Sequence, residues 1–148
     1  MPKVLHVADV HLDASFSWLG RQGRAQRQRL RQTLRRIVSL AIDERFDLLL
    51  VAGDLFDSNS PSHATVEFVI SQLRRLSIPA CVVPGTHDCL SPDSIYRKVD
   101  FASAAPNVFV FDDPALTRWQ WPALSLVVHA RPNTSNRSPD CPLSGLRR

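Results

Sequence analysis

Several things are scarce in this chain: long apolar runs, pairable cysteines, internal repeats and, along one stretch, acidic residues. No apolar run approaches the roughly 20 residues that cross a bilayer, and the N-terminus carries no secretory apolar segment. No membrane-spanning helix and no membrane partner are expected, and a soluble protein is the default. Cys81, Cys89 and Cys141 are odd in number and not closely paired, which excludes a disulfide framework and implies reduced thiols. The expected setting is the cytoplasm. The chain shows no internal repeat. What remains is 148 residues, 44% hydrophobic, enough for one globular domain and too few for two ordinary ones. The net charge of +4 and pI near 9.5 suit an anionic partner without demanding one. The basic charge is uneven, with eight of the sixteen arginines between positions 21 and 45.

The apolar pattern reads strand, helix, strand, helix, strand. Residues 3–8 form a short β-type run, 46–52 a central strand and 78–83 a third. Between them, residues 24–43 have helical spacing with Leu30, Leu34, Ile37 and Ala41 as the buried stripe. A second helix is expected over 61–76, with Ser60 as N-cap and Pro61 in its first position. Its apolar face is Val66, Val69 or Ile70, Leu73 and Leu76. This alternation predicts parallel strands and a site at their C-terminal ends. Further on, 108–111 reads as a strand, and 119–121 and 124–128 as antiparallel strands around Pro122. Phe16, Trp18 and Leu19 are expected to pack over the end of the first strand. His6 is expected to be structural and His63 to lie on the surface. Residues 132–148, poor in apolar side chains, read as a disordered or poorly anchored tail beyond a domain of residues 1–131.

The chemistry gathers at the strand ends. An apolar run stops at Val51-Ala52-Gly53-Asp54-Leu55-Phe56-Asp57, where a glycine allows close approach beside a carboxylate. Asp9 and His11 follow the first strand, two residues apart, and on extended backbone they would share one side. Gly85-Thr86-His87-Asp88 follows the third strand, and the run 126–128 ends at His129. Mixed carboxylate and imidazole donors suit Mn, Fe or Zn better than Ca or Mg. A strand-end carboxylate can bridge two ions about 3.5–4 Å apart, a pair suited to phosphoester hydrolysis. A neighbouring histidine can protonate the leaving alkoxide. Arg24, Arg27, Arg31 and Arg35 form a stripe beside the apolar one on the first helix. It is either a solvated face or a phosphate-backbone contact.

In their order and placement, Asp9-x-His11, Gly53-Asp54, Gly85-x-His87-Asp88 and His129 resemble the successive motifs of the calcineurin-like metallophosphoesterases. The wording of residues 6–13 and 53–57 is similar to the branch of DNA-repair exonucleases of the SbcD type. The resemblance covers residues 3–131. It implies an α/β fold, a β-sandwich flanked by helices with a βαβαβ N-terminal half. It also implies two divalent metal ions, manganese being the expected metal. Asp9 and His11 would hold the first ion, Asp54 would bridge, and His129 with Thr86 would hold the second. His87 would be the acid beside the scissile phosphate, oriented by Asp88 or Asp57. Arg131, Arg27 and Arg31 are weaker candidates for phosphate contact. DNA is the implied substrate, and an accessory ATPase the implied partner.

Two departures from the family pattern stand out. Thr86 occupies the place of an asparagine ligand and offers a shorter, weaker donor. No Gly-His-x-His follows His129, so the chain is expected to stop before the final strands of the fold. The leading expectation is a metal-dependent phosphoesterase, a DNA exonuclease or phosphodiesterase. The alternatives are a catalytically impaired fragment that binds at most one metal or nucleic acid, and a small-molecule phosphodiesterase.

Overall fold

The computed structural model describes residues 1–137, 141 and 144–146. Four short strands, β1 (Val4–Val7), β2 (Leu48–Ala52), β3 (Ala80–Val83) and β4 (Val108–Val110), form a parallel sheet in the order β1-β2-β3-β4. Helix α1 (Arg21–Asp43) carries the chain from β1 to β2, and α2 (His63–Leu73) from β2 to β3. Two one-turn helices, α3 (Ile95–Lys98) and α4 (Phe101–Ala104), fill the third crossover. An antiparallel ribbon of β5 (Thr117–Trp121) and β6 (Leu126–Ala130) completes the described elements. The expected α/β class and strand–helix alternation are therefore present.

The period-two alternation of the strands divides the core in two. Leu49, Val51, Ala80, Val82 and Val108 point to the helices, where Leu34, Val38, Val66, Val69 and Leu73 meet them. Leu48, Cys81 and Phe111, with partly buried Leu50, Val83 and Phe109, point the other way onto Trp121, Leu126, Val128 and Ala130 of the ribbon. Central β2 is covered on both faces, which is why it reads as a continuous apolar run. Edge strand β1 is covered on one face only, the one that carries Leu5 and Val7. Consequently His6 is exposed, not part of the interior. Burial drives the Cys81 thiol up to about 12, leaving it unreactive.

Helix α1 starts at Arg21, earlier than the spacing predicts, and its fully buried stripe is Leu34, Val38 and Ala41; Leu30 and Ile37 flank it. On α2, Val69 is buried and Ile70 only partly so. His63 is exposed, as expected. The aromatics after β1 do not cover the strand end. Phe16 and Trp18 meet edge-on at 5.5 Å beside the start of α1, with Trp18 75% exposed. Of the expected tail, residues 138–140, 142–143 and 147–148 lie outside the described residues. Backbone bonds to the body of the fold continue to Asn133, whose N–H donates to the Pro84 carbonyl (3.1 Å) and whose carbonyl accepts from the Leu90 N–H (2.7 Å).

The start of α2 shows why local capping rules misplaced it. The N-cap is Ser62 rather than Ser60, and its own side chain does not cap the helix. Asp13, 49 residues earlier, does so instead: its carboxylate accepts from the Ser62 N–H (2.7 Å) and the Thr65 hydroxyl (3.0 Å). Arg31 donates to the same Thr65 oxygen at 2.9 Å. Burial raises the Asp13 carboxyl, but the bonds from Ser62 and Thr65, aided by the Arg31 charge, outweigh it and hold the group below its usual 3.8. A depressed carboxyl pKa stabilises the fold above the unfolded value, and that gain is lost as pH falls through the folded value. Asp13→Asn should therefore cost about 1 kcal/mol near neutral pH in urea denaturation. The gap to wild type should close well below pH 3.8. An undiminished gap there would mean that the carboxylate charge is not what caps α2.

Candidate metal centre at the strand ends

The loops that follow β1 and β2 are zipped together by backbone bonds. The N–H groups of Asp9, His11 and Leu12 donate to the carbonyls of Gly53 (3.2 Å), Asp54 (3.0 Å) and Leu55 (3.0 Å), and Asp57 N–H returns a bond to Leu12 (2.9 Å). β1 ends at Val7, so Asp9 and His11 are not on extended backbone. Their φ angles are +55° and +48°, with Asp13 at +70° and Asp54 at +53°. Side-chain proximity between Asp9 and His11 thus comes from left-handed turns, not from strand alternation. Positive φ costs a non-glycine residue of order 1 kcal/mol or more and persists only where surrounding bonds enforce it.

Asp54 is enforced from several sides. Its Oδ1 accepts from the His87 N–H (2.8 Å), its Oδ2 from the Thr86 hydroxyl (3.3 Å), and its N–H donates to Asp88 Oδ1 (3.2 Å). The β3 loop comes this close because position 85 has no side chain. A Cβ on Gly85 would stand 2.2 Å from Asp54 Oδ1 and 2.4 Å from its nitrogen. Gly53, at φ +91°, lies against the same glycine, and a Cβ there would stand 3.1 Å from Gly85 Cα.

Asp88 is fully buried and turned away from the cleft. It accepts from the N–H groups of Gly85 (2.7 Å), Asp54 (3.2 Å) and Phe56 (3.2 Å) and from the Tyr96 hydroxyl (2.7 Å). Burial first, and then the carboxylates of Asp88 and Asp54, push the Tyr96 phenol well above its usual value, so it remains a donor. Asp88 therefore positions loops and does not orient the His87 ring. The open choice between Asp88 and Asp57 resolves to Asp57, whose carbonyl accepts from His87 Nδ1 at 3.1 Å. The carboxylate of Asp57 lies 3.1 Å from His11 Nδ1 and 3.8 Å from His87 Nδ1. Since a carbonyl only accepts, His87 carries its proton on Nδ1 and presents Nε2 outward. The two imidazoles meet edge-on, 4.7 Å between centroids.

Asp9, His11 and Asp54 offer donor atoms all within 4.8 Å of one another, as do His11, Asp57 and His87. In the first group His11 Nδ1 faces the Asp57 carboxylate while Nε2 faces Asp9 at 3.7 Å. A carboxylate behind one imidazole nitrogen, with the other nitrogen among acids, is the arrangement that orients a metal-binding histidine. These residues fit a divalent ion. His129 joins neither group among the described residues. Its register partner is Arg118, and it alternates with inward-facing Val128 and Ala130, so it lies on the outer face of the ribbon. It does line a cavity of about 350 Å³ with Asp54, Thr86 and Arg131.

The arginine candidates are occupied within the chain. Arg27 donates to the Ser15 carbonyl, Arg31 to Thr65, and Arg131 Nε to the Pro114 carbonyl (3.2 Å). Arg31 also lies over the Phe68 ring at 5.2 Å. Arg27 and Arg31 thus pin α1 to its neighbours and do not face outward as phosphate contacts. Two residues that sequence reasoning missed are Tyr96 and Asn59. Asn59 ties the β2 loop to the β3 loop through the carbonyl of Cys89 (2.8 Å), the Ser91 hydroxyl (3.2 Å) and the Ile95 N–H (3.2 Å). Neither sits at a spacing that announces these contacts; the one signal was that Tyr96 is the only tyrosine in the chain.

Residues 2–140 match the family described as calcineurin-like phosphoesterase. The chain is 31% identical over 110 residues to the DNA double-strand break repair protein Mre11 of Saccharolobus solfataricus, covering 68% of this chain and 28% of that protein. It is 37% identical over 91 residues to the Mre11 protein of Aeropyrum pernix, covering 60% and 21%. Against a subunit of the nuclease SbcCD of Bacillus subtilis it is 29% identical over 97 residues, covering 63% and 23%. The chain spans roughly a quarter of the length of these relatives.

Two substitutions probe this architecture. Gly85→Ala should force the β3 loop off Asp54 and lower stability by about 1–3 kcal/mol in chemical denaturation. Tyr96→Phe leaves Asp88 Oδ2 one donor short and should cost about 1–3 kcal/mol in chemical denaturation. Variants indistinguishable from wild type would show that the close approach and the buried carboxylate do not hold the loops.

Proposed function

The chain belongs to the calcineurin-like phosphoesterase family, and on that premise we propose that it is a metal-dependent phosphodiesterase acting on DNA. The observation that carries this reading is the convergence of Asp9, His11 and Asp54 within 4.8 Å, beside a histidine held by Asp57. Asp9, His11 and Asp54 would hold a divalent ion, and manganese suits that mixed donor set. Such an ion supplies Lewis acidity toward a phosphoryl oxygen and activates water. A second ion would draw on Asp54 and Thr86 without His129, which lies on the outer face of the ribbon. That donor set is thinner, because the Thr86 hydroxyl is already bonded to Asp54. The proposal therefore rests on the first site.

The protein's own groups have distinct tasks. Asp57 keeps the His87 Nδ1 proton directed at its carbonyl, which leaves Nε2 to donate a proton to the leaving alkoxide when the ring is charged. The same residue's carboxylate orients His11. Asp88, through the N–H groups of Gly85 and Asp54, fixes the loops that carry both histidine and bridging carboxylate. DNA as substrate is supported by the names of the relatives, repair proteins and part of a nuclease. A partner with ATPase activity belongs to the same proposal and rests on the family resemblance of the motifs alone; the SbcCD relative's name adds only that it is one subunit of a nuclease. Among the described residues no helix is long and apolar enough to cross a membrane.

With added manganese the chain should hydrolyse bis-p-nitrophenyl phosphate, and Asp54→Ala should lower the rate by about 100-fold or more, since even outer-shell changes at metal sites cost 10–100-fold. Equal rates in both proteins would overturn the reading. His87→Ala should lose about 100-fold or more on a DNA phosphodiester, whose alkoxide needs a proton. It should lose much less on the nitrophenyl ester, whose leaving group is stable as an anion. A uniform loss on both substrates would remove His87 as the acid.

A further inference from the structure

The arginines of α1 fall into two sets. Arg27 and Arg31 bond to neighbouring elements. Arg21, Arg24, Arg29 and Arg36 are exposed, and at 100° per residue they lie within roughly 140° of arc. Gln28, Gln32 and Arg35 fall within the same arc, Arg35 with its guanidinium over the Phe68 ring of α2. Its centre is opposite the buried Leu34, Val38 and Ala41. Residues 14–42 contain no aspartate or glutamate. Among the described residues, no arginine of α1 pairs with a carboxylate within 4.0 Å, whereas Lys3, His11, His63 and His87 do. Uncompensated like charges along one helix face repel, at a cost of a few tenths of a kcal/mol per neighbouring pair. A solvated surface helix normally relieves this with interleaved acids, and α1 does not.

The position of the stripe is as telling as its charge. The loop that carries Asp9 and His11 runs directly into α1, and Arg27 is bonded to Ser15 within that loop. The first turn of α1 thus lies at the end of the sheet where the acids converge, and the helix then runs back along the flank. From Arg21 to Arg36 the stripe extends about 22 Å at 1.5 Å per residue. That length corresponds to about six phosphates of one strand of a duplex. Arginine, with its planar fork of donors, matches phosphate oxygens in pairs better than lysine does.

We propose that the outward face of α1 is a docking surface for a nucleic-acid phosphate backbone, which it holds beside the strand-end site. The choice of nucleic acid over another polyanion rests on the phosphodiesterase reading; the binding itself needs neither metal nor turnover. The test is fluorescence anisotropy of a labelled duplex oligonucleotide in EDTA, over a series of potassium chloride concentrations. Arg24→Gln/Arg29→Gln is compared with Arg97→Gln/Lys98→Gln, a pair of equal charge loss at the two exposed positions of α3. Arginine and glutamine have similar helix propensity, so the α1 pair keeps its helix.

The α1 pair should weaken binding about tenfold or more and reduce the slope of log K against log salt by up to about 2, close to 0.9 per lost phosphate contact. The control pair should stay within about twofold of wild type. Equal weakening by both pairs would reduce the effect to net charge and overturn the proposal. So would the absence of binding by wild type, or displacement of the duplex by polyglutamate at equal charge concentration. Hydrolysis of bis-p-nitrophenyl phosphate separates the two readings. Hydrolysis without duplex binding removes the docking surface alone, and salt-dependent binding without hydrolysis removes the phosphodiesterase reading alone.

Discussion

Three loops can meet at the strand ends only because the backbone at Gly85 passes through the space a side chain would fill. There the Asp54 carboxylate and amide lie where a Cβ would be, and the buried Asp88 carboxylate ties Gly85, Asp54 and Phe56 together from beneath. A carboxylate taken out of water is costly unless its lone pairs are filled. Asp88 has four donors, the last from Tyr96 in the crossover to β4. The elements around β2 and β3 are thus fastened to one acid that the cleft never sees.

The backbone above this clamp carries the strain. Asp9, His11, Asp13 and Asp54 all have positive φ, and all are aspartate or histidine, residue types that tolerate the left-handed region better than most. The ladder of backbone bonds between the β1 and β2 loops offsets this cost and fixes where the side chains emerge. Asp13 shows how far the same loop reaches: His11 faces the cleft and Val10, Leu12 and Ala14 are buried, while its own carboxylate caps α2. The metal-facing loop, the first crossover helix and the second crossover helix are in this way one mechanical unit.

Helix α1 connects that unit to the outside. Its buried stripe packs on the sheet, its flanking arginines bond to the β1 loop and to α2, and its outer face carries arginine without acids. Arg31 and Arg35 lie over Phe68 at 5.2 and 5.1 Å, so part of the basic charge is spent on the seam between the two helices. One helix therefore combines packing, bracing and an exposed positive field.

The sequence alone determined the alternation of strands and helices, the central place of β2 and the assembly of acids and histidines at strand ends. It could do so because an apolar run covered on both faces and a helical stripe leave periodic marks that local spacing reveals. It also marked Gly53 as a place of close approach, although not what approaches it, nor that Gly85 is where the approach is tightest. What it could not supply were contacts between residues far apart in the chain. The partner of His87 is Asp57 and not its neighbour Asp88, because the Asp88 carboxylate is buried beneath the N–H groups of Gly85, Asp54 and Phe56. The cap of α2 comes from Asp13 in another loop, so the local Ser60-Pro61 signal lost to a tertiary bond. His129 lies within β6, which runs on to Ala130, and not past a strand end as the pattern says; ribbon register sets it outside both ligand groups. Periodicity assigns a residue to a face; only the packed fold decides which face looks into the site.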